Sequence, residues 1–163
     1  EKLLEKAYAG GVPMGGVLSP RPKDGKAPVF VVTAQRDPGI PEHPGGLLQR
    51  AQVVKGWVDE QGLFHEEVFD VAGGANGATV DLDSCVPQGP GSDSLCGVWS
   101  DPDFDPAREA VYYVRVLENP SCRWSRLQCN ALPEAKRPKT CDSALHRGRI
   151  QERLWTSPIW YGS

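Results

Sequence analysis

Three histidines are the residues of this 163-residue chain that most readily suggest metal-dependent chemistry. His43, His65 and His146 lie far apart and form no His-x-His or His-Glu-x-x-His pattern. A catalytic metal site needs about three protein ligands and an open position for water, and nothing in this spacing supplies them. We therefore expect ordinary surface or hydrogen-bonded histidines and predict no catalytic residue.

Alternating carboxylates form a second candidate, at Asp101, Asp103 and Asp105, with Asp81 and Asp83 upstream. Their oxygens would suit Ca²⁺, but the run lacks the glycine and the distal Glu of an EF-hand loop. Asp residues that cap turns beside stiffening prolines account for the same pattern. We expect a turn here, and keep these three aspartates as weak candidates for a cation site.

Five cysteines lie in one half of the chain, and none is part of a Cys-x-x-Cys pair: Cys85, Cys96, Cys122, Cys129 and Cys141. This spacing disfavours zinc and favours disulfides, which form in an oxidising compartment. Because the number is odd, one cysteine is expected to be free or paired outside the chain. Cys85 with Cys96 is the preferred bridge, because these two flank a loop rich in Pro, Gly and Ser at residues 86–95.

The remaining motifs predict structure rather than chemistry. The glycines of residues 10–16 are not followed by the Gly-Lys-Ser/Thr of a phosphate loop, and no serine has a Gly-x-Ser-x-Gly elbow. No cofactor site is predicted in this chain. Aromatic side chains could line a carbohydrate platform, although core packing is favoured for most of Trp57, Trp99, Trp124, Trp155 and Trp160. Stacking on aromatics, or pairing with Glu118 and Glu152, is expected for Arg115, Arg123 and Arg153.

Length and charge limit the classes of protein to which this chain can belong. A chain of 163 residues suits one domain, and a net charge of −3 with interleaved signs offers no basic stripe. Nucleic acid is therefore not an expected partner. No apolar run reaches the ~18 residues that a membrane span requires, so no span is expected.

Turn residues recur along the whole chain, with 18 glycines and 15 prolines, which is typical of an all-β sandwich. Strands are predicted at residues 27–34 and 110–117, and a hairpin joins residues 48–58 to 63–71. Alternation in the second strand predicts one face with Ala110, Tyr112, Val114 and Val116, and the other with Val111, Tyr113, Arg115 and Leu117. A last strand covers residues 150–161, where Pro158 predicts an edge, a bulge or a bend. We divide the chain into a boundary segment and loop, 1–26, and a β-sandwich domain, 27–163, with a long cysteine-containing insertion at 118–149.

Five segments together resemble one known pattern: YAGGVPMGG at 8–16, LQRAQVVKGW at 48–57, DPDFDP at 101–106, YYVRVLENPSCRWS at 112–125 and QERLWTSPIWY at 151–161. The chain resembles the C-terminal part of a bacterial secreted family of unknown function that is related to PHP-type metal-dependent hydrolases. The resemblance implies an immunoglobulin-like antiparallel β-sandwich with long, disulfide-stapled loops. It also implies that residues 112–116 pair with residues 155–160.

The same resemblance implies that the partner is an N-terminal catalytic barrel of the same polypeptide, which would hold any divalent metal. The start at Glu1 without a Met is expected to be a cut end of that longer protein. We expect a secreted or periplasmic bacterial protein in which this chain is a non-catalytic accessory domain. The alternative is an independent binding module for a carbohydrate, a cation or a protein. The first role predicts an exposed apolar patch, and the second a concave cluster of aromatics or carboxylates.

Overall fold

A computed structural model describes residues 2–18 and 25–162, so residues 1 and 19–24 of the predicted boundary segment lie outside it. The helices are α1 (Lys2–Gly10) and α2 (Trp124–Ala131), and two 3₁₀ turns follow α2 at Glu134–Lys136 and Lys139–Asp142. The strands are β1 (Val17–Leu18), β2 (Val29–Gln35), β3 (Leu48–Val58), β4 (Phe64–Gly73), β5 (Thr79–Val80), β6 (Pro87–Gln88), β7 (Ser94–Ser100), β8 (Ala110–Glu118), β9 (Ser121–Cys122), β10 (Arg149–Ile150), β11 (Arg153–Trp155) and β12 (Ile159–Tyr161). No described helix is long and apolar enough to cross a membrane.

The largest sheet has six strands in the order β1, β12, β8, β3 and β4, with β11 also pairing with β8. Its strands run antiparallel except β1, which lies parallel to β12. The predicted hairpin is confirmed, because β3 pairs with β4 along its length. β1 also joins this sheet, so the predicted boundary segment contributes a strand.

The C-terminal strands match the expected pairing but not the expected continuity. Trp155 lies opposite Arg115 and Ile159 opposite Tyr112, so the pairing of residues 112–116 with 155–160 is confirmed. The single strand predicted for residues 150–161 is wrong, because three short strands occupy it. At the break, the Thr156 hydroxyl accepts a hydrogen bond from the Val114 amide (3.0 Å), which replaces a backbone partner. Pro158, where an edge, a bulge or a bend was expected, lies within this break.

A two-stranded ribbon, β2 with β7, packs on one face of the main sheet, which we call the inner face. Phe30 and Leu95 from the ribbon meet Ala51, Val53 and Tyr112 from the sheet in one buried core. Burial of these side chains is the main stabilising contribution, at roughly 25 cal/mol per Å² of apolar surface. β7 was not predicted, because Gly97 and Cys96 interrupt its apolar pattern.

Two disulfides join Cys85 to Cys122 and Cys129 to Cys141. The preference for a bridge between Cys85 and Cys96 is therefore wrong, and Cys96 is a free, exposed thiol. Cys96 lies within β7 opposite Thr33, so ribbon pairing fixes its position. The molecule is mostly β, with antiparallel sheets and two disulfides. The cysteine-containing insertion, 118–149, departs from this β structure, because it contains α2 and the two 3₁₀ turns.

Asp59 organises the turn between β3 and β4. Its Oδ1 accepts hydrogen bonds from the amides of Gln61 (2.9 Å) and Leu63 (2.8 Å), and its Oδ2 lies 2.6 Å from the His65 ring. The hydrogen bond with His65, followed by that from Leu63, holds the pKa of Asp59 below its ordinary value. These bonds favour the charged carboxylate in the folded state.

We expect Asp59→Asn to reduce the loss of stability on acidification. A lowered folded pKa gives stability that is present above the unfolded pKa, about 4, and is lost as pH falls through the folded value. The native chain should therefore lose more stability between about pH 5 and pH 2 than the variant does, as measured by urea unfolding across that range. Glu60→Gln, which removes a carboxylate from the same turn, is the control. Equal acid sensitivity of Asp59→Asn and the native chain would contradict this role.

Candidate functional site

Asp101, the first of the three candidate cation ligands, points into the protein. Its side chain is fully buried and its Oδ2 lies 2.6 Å from the Lys55 ammonium, which is itself buried. The Tyr112 hydroxyl donates a hydrogen bond of 2.7 Å to the same oxygen. Burial, and then the hydrogen bond with Asp101, raise the pKa of Tyr112, so the phenol stays protonated. This carboxylate is thus already neutralised by protein groups.

The other two candidate ligands do not join Asp101. Lys55 donates to the backbone carbonyl of Asp103 (3.0 Å), and the Asp103 amide donates to the Asp101 carboxylate, as in an Asx turn. Asp105 accepts from the Ala107 amide and lies 3.6 Å from the Arg108 guanidinium. The expected turn is confirmed. Among the described residues, no group of three or more His, Cys, Asp or Glu side chains could hold a metal ion.

The histidines are separated in the structure as well as in the sequence. His43 takes part in a backbone bridge with Ile40, His65 belongs to the β3–β4 hairpin, and His146 lies in the insertion. His65 stacks on Trp57, with ring centroids 5.3 Å apart and an interplanar angle of 15°. Its pairing with Asp59 supports the hairpin turn, and no nucleophile is hydrogen-bonded to this pair in the described structure.

The five tryptophans divide into two groups. Trp57 and Trp99 pack against the core, whereas Trp124, Trp155 and Trp160 are 69%, 56% and 54% exposed. Core packing was therefore correct for only two of them. The cation stacked on an aromatic ring is Lys55, 5.1 Å from the Trp57 ring centre.

The expected roles of the arginines are wrong within the described residues. Arg115 donates instead to the Gln52 side chain, and no described ion pair joins Arg115, Arg123 or Arg153 to Glu118 or Glu152. Glu118 lies near Glu152, and burial followed by that repulsion raises the pKa of its carboxyl group.

The exposed aromatics of the main sheet share the face opposite the ribbon, which we call the outer face. Along one row the register places Val17 beside Trp160, Trp160 beside Val111, and Val111 beside Gly56. Residues paired across neighbouring strands point to the same side of the sheet, so these four positions share one face. Val17 and Trp160 are both about half exposed, so this row presents apolar surface to solvent.

Gly56 allows the apolar row to continue onto the hairpin. A Cβ at this position would lie 3.1 Å from Val111 Cγ1 and 3.3 Å from the ring of Phe64. The Phe64 ring and the Val111 side chain therefore both approach the space that a side chain at position 56 would occupy. Phe64 is 66% exposed, and Val58, which lies opposite it in β3, is 55% exposed. Apolar surface thus extends from β1 to β4.

The opposite end of the outer face is polar. Arg115 Nε donates to Gln52 Oε1 (2.9 Å), Gln52 Nε2 donates to Asp70 Oδ1 (2.7 Å), and Asp70 Oδ2 pairs with Arg50 (3.2 Å). Trp155 lies beside Arg115 at the end of this chain of hydrogen bonds. An apolar, aromatic area bordered by arginine and paired polar groups has the composition of a protein–protein interface.

The sequence contained one signal for this face. Val111, Tyr113, Arg115 and Leu117 were predicted to share one side of their strand, and the register places the first three on the outer face. The contribution of Trp155 and Trp160 was missed, because the break at residues 156–158 changes the alternation between them.

Comparisons with known proteins give a family but no activity. The profile of a family described as a protein of unknown function matches residues 1–163. No curated protein matches the chain. No solved structure matches it.

Proposed function

Since the chain belongs to the DUF3604 family of proteins of unknown function, we propose that it is the non-catalytic C-terminal accessory domain of a larger, secreted, PHP-like metal-dependent hydrolase. In this proposal the catalytic barrel of the same polypeptide packs on the outer face. The chain supports the barrel and shapes its surroundings, and it performs no turnover itself.

The observation that carries the proposal is the exposed apolar surface of the outer face. Val17, Phe64, Trp155 and Trp160 are each more than 45% exposed although they belong to the main sheet. Solvent-exposed apolar surface of this extent, bordered by polar groups, is typical of a site that binds another protein surface. Aromatic residues and arginine are also the residues enriched where interfaces are strongest.

The arrangement of the acidic residues supports the assignment of metal chemistry to the barrel rather than to this chain. The described residues do not fit a divalent metal, because Asp101 is committed to Lys55 and Tyr112, while Asp103 and Asp105 form turns. In the proposal, metal chemistry therefore belongs to the barrel.

Secretion and the finer fold class belong to the same proposal. Two disulfides favour an oxidising compartment such as the periplasm or the cell exterior. The ribbon packed on the inner face, with a shared core between the two layers, favours an immunoglobulin-like β-sandwich with stapled loops.

Hydroxyl-radical footprinting of the 163-residue chain and of the longer polypeptide tests where the barrel packs. We expect Trp155 and Trp160 to be oxidised readily in the chain alone and to be strongly protected in the longer protein, because burial excludes the radical. Trp124, which is exposed on a different part of the chain, should be oxidised equally in both and serves as the internal control. Equal oxidation of Trp155 and Trp160 in the two proteins would refute packing on the outer face.

An independent carbohydrate-binding module is the second candidate, favoured by exposed Trp155 beside the polar groups of Arg115 and Gln52. Stacking on the ring with hydrogen bonds from its neighbours would suit a sugar. Affinity electrophoresis in gels containing polysaccharides separates the candidates. Retardation of the native chain that is lost in Trp155→Ala would favour the module, while unaltered migration in all gels would favour the accessory role.

A further inference from the structure

The insertion carries a concentration of positive charge that the charge of the whole chain conceals. Residues 123–149, which we call the basic lobe, contain seven Lys or Arg residues and two Asp or Glu residues, a net charge of +5. The whole chain has a net charge of −3, so the remainder has −8. The interleaving of charges expected from the sequence is therefore wrong for this segment.

Most of this charge is not neutralised by the protein. Among the described residues, the lobe's basic side chains form one ion pair, between Arg126 and Asp83 at 3.0 Å. Arg123, Arg147 and Arg149 are exposed. They lie close together, because the Arg123 amide donates to the Gly148 carbonyl (2.8 Å) and Arg149 pairs with Cys122 in the β9–β10 ladder.

The basic lobe also presents large apolar side chains to solvent. Trp124 and Leu127, one turn apart on α2, are 69% and 51% exposed, and Leu145 is 91% exposed. Trp124 and Arg123 line the same depression as His146, which brings the start of α2 next to the segment that carries Leu145 and Arg147. Arg123 and Trp124 thus lie side by side, and the other exposed apolar side chains belong to the same lobe.

The lobe is held in shape by covalent bonds rather than by a core of its own. Neither α2 nor the two 3₁₀ turns contain a buried residue. One disulfide joins α2 to the second 3₁₀ turn, and the other joins β9 to the segment between β5 and β6. The disulfides, together with hydrogen bonds from Arg126 and Asn130 to the Leu82 carbonyl, hold the lobe while its apolar side chains remain exposed.

We propose that the basic lobe is a docking surface for an anionic lipid membrane. Phosphate headgroups would neutralise the exposed arginines, and Trp124, Leu127 and Leu145 would enter the boundary between headgroups and acyl chains. A polysaccharide or a nucleic acid would satisfy the arginines but leave the leucines in water, so the apolar residues favour the lipid. The lobe is separate from the outer face, and this proposal stands or falls independently of the accessory role.

Sedimentation of the native chain with vesicles tests the proposal, using phosphatidylcholine alone and phosphatidylcholine mixed with phosphatidylglycerol. We expect binding only to the mixed vesicles, and weaker binding as salt is raised. The triple variant Arg123→Gln/Arg147→Gln/Arg149→Gln should bind about a hundredfold more weakly, at roughly a factor of five per charge near the surface. The matched control Lys6→Gln/Arg108→Gln/Arg153→Gln removes three exposed charges outside the lobe and should bind like the native chain.

Trp124→Ala distinguishes a lipid surface from other polyanions. Because a lipid surface would bury this exposed ring, we expect its loss to weaken vesicle binding about tenfold. Binding that Trp124→Ala leaves unchanged, and that dextran sulfate competes away, would overturn the lipid in favour of an anionic polysaccharide. Equal binding to both kinds of vesicle, no binding to either, or equal losses in the triple variant and its control would also overturn the proposal.

Discussion

Replacing Lys55 by methionine should lower the free energy of unfolding by about 3–5 kcal/mol, because it leaves the buried carboxylate of Asp101 without its counter-charge. Both side chains are almost fully buried, and Lys55 Nζ lies 2.6 Å from Asp101 Oδ2. Removing one partner of a buried pair imposes the desolvation cost of the other. The Tyr112 hydroxyl and the Asp103 amide would remain as hydrogen-bond donors to Asp101, and two neutral donors compensate only part of that cost.

Urea unfolding of the native chain and the variant measures this effect. Arg108→Ala removes an exposed ion pair with Asp105 and should cost no more than about 1 kcal/mol. The double variant Lys55→Met/Asp101→Leu should recover part of the loss, because it no longer contains a buried unpaired charge. A change in Lys55→Met no larger than that in Arg108→Ala would show that Asp101 does not depend on Lys55.

Removal of the Cys85–Cys122 disulfide, by Cys85→Ser/Cys122→Ser, should have an effect of similar size. The bridged cysteines are 37 residues apart, and the entropy lost by the unfolded chain corresponds to about 4 kcal/mol. Cys129 and Cys141 are 12 residues apart, so their bridge should contribute about 3 kcal/mol. Chemical denaturation of the two double variants measures both contributions.

Cys96→Ser is the matched control, since the exposed free thiol closes no loop and its replacement should leave stability nearly unchanged. Peptide mapping without reduction should recover Cys96 as a thiol and the other four cysteines in the two observed pairs. Recovery of a peptide that joins Cys85 to Cys96 would contradict the structure.

Local patterns were sufficient for the central part of the fold. The β3–β4 hairpin followed from two β-rich runs around a polar turn, and β8 followed from its alternation, because neighbouring residues in a strand face opposite sides. The broken C-terminal strand was only partly predictable, since proline indicates a bend but not which hydrogen bonds replace the ladder.

Contacts between distant residues account for what the sequence could not predict. The turn at Asp101 was expected, but the burial of its side chain against Lys55 of β3 was not. The preferred disulfide was chosen because its cysteines flank a loop rich in Pro, Gly and Ser, whereas the actual pairs are decided by which segments the fold brings together. The outer face was predictable along β8 but not across the sheet, because β11 and β12 join β8 on either side of a break.

The position of Cys96 determines how two copies would be oriented in a disulfide-linked dimer. Its thiol projects from the ribbon, whose other side packs against the inner face, so it lies on the opposite side of the molecule from Trp160. An intermolecular disulfide at Cys96 would therefore join two copies back to back and leave both outer faces accessible. Each copy in such a dimer could therefore still pack against the barrel of its own polypeptide.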